Sequence, residues 1–140
     1  MDIKPNLQFS VLCDDVRREE NGKFMLIGLF EAINAKQFPA THASLFVVNR
    51  WCKGEGSFRQ NIRIANSKDA SPVFTTGDQP FDLESIDAHH TLVSKINNLI
   101  FPAAGKYWVE VLLDGELVLN YPIMLKSQTG VQGEQNRPNI

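Results

Sequence analysis

The sequence predicts an all-β protein: an antiparallel two-sheet sandwich of about eight to nine strands, with at most short helices. Three observations carry this. Apolar residues recur at every second position in run after run, the period of a strand with one buried face. Asn21-Gly22 and Asp114-Gly115 separate such runs, and a type I′ hairpin turn needs positive φ at both central residues, which these pairs tolerate. No stretch holds the period of an amphipathic helix for more than a turn or two.

The elements follow in chain order. Leu7 to Asp15 opens the first strand, with Leu7, Phe9, Val11 and Cys13 on one face. After the turn at Asn21-Gly22, Phe24 to Ile33 is apolar on both faces, which predicts a central strand with its second face covered. Phe38-Pro39 breaks the chain, and a short helix within Asn34 to His42 or Asp78 to Asp87 fits the pattern. Ala43 to Cys52 is the third strand and ends in the glycine-rich turn Lys53-Gly54-Glu55-Gly56. Ser57 to Asn66 sets Phe58, Ile62 and Ile64 against Arg59, Asn61 and Arg63. Pro72 to Thr76 suits an edge strand, where a missing N–H is tolerated. Phe81 to Ile86 reads as strand or turn, and Ala88 to Asn97 as a weaker strand. Gly105 to Leu125 is the clearest hairpin: Tyr107, Val109, Val111 and Leu113 alternate, Asp114-Gly115 turns, and Leu117 to Leu125 alternates on the return. Residues 1–126 form a single domain in this reading, and the polar, aperiodic segment 127–140 a flexible tail.

Composition excludes several functions. The chain of 140 residues carries a net charge of −2 with no basic stripe, so no nucleic acid is expected as a partner. The N-terminus has no basic leader followed by a long apolar run, and no segment suits a membrane span. The expected location is cytoplasmic, where Cys13 and Cys52 stay reduced as small apolar side chains.

Chemistry-bearing constellations are weak. Asp87, His89 and His90 are the nearest approach to a metal site. Adjacent strand residues face opposite ways, however, so His89 and His90 do not converge on one ion. Asp14, Asp15, Glu19 and Glu20 meet Asp114 or Glu116 at a calcium site only if the two hairpin ends are neighbours, and the interleaved Arg17, Arg18 and Lys23 favour ion pairs instead. No serine has a nucleophile-elbow frame, and neither cysteine has an adjacent histidine. No catalytic residue and no cofactor is expected.

Phe9 to Phe30 (FSVLCDDVRREENGKFMLIGLF) and Phe101 to Leu125 (FPAAGKYWVEVLLDGELVLNYPIML) together resemble a family of small bacterial β-sandwich proteins of unknown function. The resemblance implies a sandwich of about nine strands and brings no catalytic residues with it. The Gly105-x-Tyr107 entry is also similar to late strands of immunoglobulin-like domains, where a corner tyrosine bonds back to the backbone. The Cys…Trp…Cys spacing of those domains is absent, because Trp51 directly precedes Cys52.

Trp108 interrupts the nominally wet row of the last hairpin, with Leu112 in the same row, and Trp51 lies on the face opposite Phe46 and Val48. Aromatics among charges mark interface cores. The expected function is therefore a non-enzymatic module that binds a protein partner or itself, as in a homodimer, through Trp108, Leu112 and Trp51. The alternatives are a small-ligand or carbohydrate binder using the same aromatics, and a metal-dependent enzyme at Asp87, His89 and His90.

Overall fold

Alternation and turn chemistry together produce strands almost throughout the computed structural model, which describes residues 2–128. They are β1 (Asn6–Arg18), β2 (Phe24–Leu29), β3 (Ala32–Ala35), β4 (Ala40–Cys52), β5 (Gly56–Asn66), β6 (Pro72–Thr75), β7 (Gln79–Leu83), β8 (His89–Phe101), β9 (Gly105–Leu113) and β10 (Glu116–Ser127). A four-stranded sheet runs β2-β1-β4-β8, and a six-stranded sheet runs β3-β10-β9-β5-β6 with β7 also paired to β5. The fold is an all-β two-sheet sandwich. No helix occurs among the described residues, so neither short helix expected from the sequence forms. The expected tail lies outside the described residues except for Ser127, which ends β10, and Gln128.

The core fills the space between the sheets. Leu45 and Val47 of β4 and Ile96 and Leu99 of β8 pack with Ile62 and Ile64 of β5 and Tyr107 and Val109 of β9. A second cluster gathers Trp51, Phe58, Phe81, Leu83, Val111 and Leu113. The β9–β10 turn is the expected one, with φ of 48° at Asp114 and 85° at Gly115. The Tyr107 hydroxyl donates to the Ala103 carbonyl at 2.7 Å, the backbone return that the immunoglobulin-like resemblance implied.

Phe24 to Ile33 departs from the reading of one central strand. It is two strands, each at the edge of a different sheet. The crossing is visible in the hydrogen bonds: Phe30 N–H donates to Leu12 O in one sheet, and Met124 N–H donates to Glu31 O in the other. Phe30 and Ile33 reach the core, while Met25, Ile27 and Leu29 are 40–61 % exposed. The segment is apolar on both sides because it serves two sheets in succession, not because one sheet is covered twice. This split brings the described strands to ten, and β3 pairs with β10 in parallel, so the sandwich is not wholly antiparallel.

Ser10 of β1 and Tyr121 of β10 tie the sheets through a 2.8 Å hydroxyl–hydroxyl hydrogen bond. Burial pushes the Tyr121 phenol up to about 12, while the Ser10 bond pulls the other way. A phenol raised in the folded state stabilises the fold below its ordinary value of 10.0 and loses that contribution as pH rises toward 12. Full ionisation forfeits about 2–3 kcal/mol. Tyr121→Phe is expected to cost about 1 kcal/mol at neutral pH and to flatten the alkaline fall in stability, measured by urea unfolding between pH 8 and 11. An identical alkaline slope in both proteins would refute the assignment.

Candidate functional site: a cationic groove on the four-stranded sheet

A bulge in β1 decides which residues face outward. Leu7 pairs with Trp51 but Phe9 pairs with Arg50, so the register shifts at Gln8. One extra residue reverses the faces of everything beyond it. Leu7 therefore turns toward the core cluster of Trp51. Phe9, Val11 and Cys13 share the outer face with Arg50, Val48 and Phe46, while Ser10 and Leu12 point inward with Asn49 and Val47. Plain alternation predicts one face for Leu7, Phe9, Val11 and Cys13; the bulge sets Leu7 apart from the other three.

β4 is the strand that is covered twice. Its inward row is Leu45, Val47, Asn49 and Trp51, all fully buried, yet outward Val48 is fully buried too. The cover is the β1–β2 hairpin. Pairing of β1 with β4 stops at Cys13–Phe46, whereas pairing with β2 continues to Arg18–Phe24. The freed hairpin leans over the outer face. Val16, Arg18 and Phe24 share one depression with Phe46, Thr91 and Val93. Beside it, Arg18, Lys23, Phe24 and Leu26 enclose a groove of about 650 Å³ against Phe9, Val48 and Arg50, with the start of β8 closing one side.

The groove is positively charged by its lining. Arg18, Lys23 and Arg50 contribute to it and no carboxylate does. Among the described residues none of these three makes an ion pair; the pairs formed are Lys4–Glu116, Arg17–Asp15 and Arg63–Glu110. The Arg18 guanidinium stacks on the Phe24 ring, 4.3 Å from its centre. Arg50 Nε is buried and has no hydrogen-bond partner. Next door, Asp15 is held below the usual carboxylate range, first by its hydrogen bond from Arg17. Cys13 lies free and buried beneath the hairpin, and burial pushes its thiol up, away from the reactive thiolate.

The residues singled out from the sequence do not converge. Trp51 is 0 % exposed and bonded to Gln60, and Leu112 is 9 % exposed, so both leave the list of surface contacts. Trp108 keeps its outward position on β9, half-buried beside Pro122 and Ala65, with the Lys106 ammonium 4.9 Å from its ring centre. His89 is exposed, whereas the His90 ring packs 5.5 Å from that of Phe81, and Asp87 is exposed in the preceding turn. No group of three or more potential metal ligands forms among the described residues. The calcium arrangement fails on geometry: Glu116 sits beside Lys4, before the start of β1, while Asp14 and Asp15 lie far along that strand.

The sequence reading missed one polar cluster. The Gln60 side-chain oxygen accepts from Asn49 Nδ2 at 3.0 Å and Trp51 Nε1 at 2.7 Å; its amide donates to Gln79, which donates to Ser94. The available signal was Gln60 itself, a polar residue within the apolar row Phe58–Ile62–Ile64.

A family model described as a family of unknown function, DUF6941, matches residues 8–126. The chain belongs to that family. No curated protein matches it. Among solved structures, it is similar to a β-glucosidase from Listeria innocua in complex with isofagomine, with a TM-score of 0.55, 10 % identity, 91 % of this chain covered and 17 % of the other. The glucose complex of the same enzyme gives a TM-score of 0.55 at 10 % identity, over 91 % of this chain and 16 % of the other. The chain thus spans about a sixth of that enzyme's length, and likeness at this identity shows the sandwich fold alone. In this DUF6941 member no helix of the described residues is long and apolar enough to cross a membrane.

Proposed function

We propose that this chain is a non-catalytic recognition module whose contact site is the groove under the β1–β2 hairpin. One observation carries the reading: arginine and lysine side chains without ion-pair partners among the described residues converge with aromatic and aliphatic side chains in a concave site. Concavity, apolar walls and a few directed polar groups are the ordinary attributes of a binding site. Nothing in the lining pairs a nucleophile with an oriented base. The test is affinity capture from the source cell with wild type and an Arg18→Gln/Phe24→Ala variant, read by native mass spectrometry. The expected result is a bound species lost in the variant. Equal retention by both would overturn the groove as the contact site.

A second reading, self-association, is favoured by the edge of β10. β3 pairs with β10 only from Met124 onward, leaving Glu116 to Ile123 without a strand on that side among the described residues. Leu117, Val118 and Leu119 are 36–52 % exposed there. Bare apolar edges are templates for pairing. Under this reading wild type is dimeric by light scattering and Leu117→Lys/Leu119→Lys is monomeric. A wild-type monomer at all concentrations would remove it.

A further inference from the structure

We infer that the groove is a binding site for a small organic anion, an apolar or aromatic body bearing one carboxylate or phosphate head. The inference rests on the groove being the recognition site and adds the class of ligand. The chain as a whole is acidic, with a net charge of −2, yet the groove lining contains Arg18, Lys23 and Arg50 and no carboxylate. Charges of one sign gathered around a concave opening add their fields there, so this local sign biases what enters. Surface cations are usually free to pair with nearby acids. Here Arg17 takes Asp15, at 2.8 Å, and Arg18 instead stacks on Phe24. Stacking holds the guanidinium plane in place and keeps its N–H edges available for a bidentate acceptor.

Arg50 adds a second guanidinium to the wall of the groove. Its Nε is buried and unpartnered, and buried donors are ordinarily satisfied. The Nε is closed off, but the side chain as a whole is half-buried and lines the groove, so its outer guanidinium N–H groups are the ones placed to meet a carboxylate or phosphate oxygen. Phe9, Phe24 and Leu26, all half-buried, offer the surface for the body of the ligand, with Val48 behind them. The volume, about 650 Å³, lies in the range of small-molecule sites. A polyanion fits poorly, because Glu19 and Glu20 stand at the exposed tip of the same hairpin.

The probes are phenylacetate, phenyl phosphate, the neutral isostere phenylacetamide and inorganic phosphate, titrated into the full chain and read by calorimetry and amide NMR shifts. Phenylacetate or phenyl phosphate is expected to bind at least about tenfold more tightly than phenylacetamide and than inorganic phosphate, with shifts at Gly22, Val48 and Thr91. The preferred head separates a carboxylate from a phosphate ligand. Arg50→Gln is expected to weaken binding about tenfold or more. Arg18→Gln, at an exposed position, gives the same direction should the Arg50 variant misfold. Arg63→Gln, which lies with its partner Glu110 on the six-stranded sheet away from the groove, leaves affinity unchanged. Equal binding of acid and amide at the groove overturns the anion inference but leaves the recognition site standing. No groove shift with any probe also overturns the inference, while the recognition reading is judged by the capture experiment.

Discussion

Trp51→Ala is expected to lower the unfolding free energy by about 3–5 kcal/mol, the range for removing a fully buried large aromatic. Trp108→Ala is expected to cost about 1 kcal/mol, in line with its partial burial. The contrast comes from placement. Trp51 is 0 % exposed, its ring stacks 5.5 Å from Phe81, and its indole N–H reaches Gln60 at 2.7 Å. Truncation leaves a cavity between two sheets that cannot collapse freely, and deprives a buried acceptor of a donor. Trp108 is backed by Ala65 and Pro122 on neighbouring strands and lidded by Lys106. Guanidinium unfolding followed by far-ultraviolet dichroism measures both. Comparable losses for the two tryptophans would sink the assignment of Trp51 to the core.

Local rules made most of the architecture readable. The β9–β10 hairpin needed only alternation and an Asp-Gly turn, and β5 was equally plain because its outward row is Arg59, Asn61 and Arg63. The errors arose where a strand has two apolar rows. Alternation cannot assign faces when both rows are apolar, as in β4, where Phe46 and Val48 compete with Leu45 and Val47. Phe24 to Ile33 has the same ambiguity for the opposite reason, since it is an edge in each of two sheets. The bulge at Gln8 has no sequence signature as plain as glycine, and it alone moves Phe9, Val11 and Cys13 to the outer face.

The groove was illegible for that reason. Its lining comes from both ends of β1, the turn after it, β2, β4 and the start of β8, and only the lean of the hairpin brings them together. Arg18 and Lys23 read from the sequence as partners for neighbouring acids. The register instead turns Arg18 onto Phe24 and leaves Arg17 with Asp15. Trp108 drew attention because a large aromatic in a wet row is conspicuous; a lysine laid across it answers most of that signal.

Gln60→Leu is the second change expected to be severe, at about 2–6 kcal/mol, because it orphans two buried donors at about 1–3 kcal/mol each. Gln60 is 0 % exposed and stands between the sheets, accepting from Asn49 and Trp51 of β4 and donating to Gln79 of β7. Leucine matches the volume but offers no acceptor, so the Asn49 amide and the indole N–H lose their partner together. Asn49 Oδ1 is already buried without one, which leaves that side chain little compensation. The cost belongs to stranded groups rather than to a favourable bond, and this makes a specific cycle decisive. Once Gln60 is leucine, adding Asn49→Leu and Trp51→Phe removes the stranded donors and is expected to recover stability. In the wild-type background the same two changes destabilise. Strictly additive losses across the cycle, measured by urea unfolding, would show that the residues act separately and that the polar bridge is not a unit. Recovery would show that the polar cluster stabilises this sandwich little over an apolar core, and that its contribution is to fix how β4, β5 and β7 align.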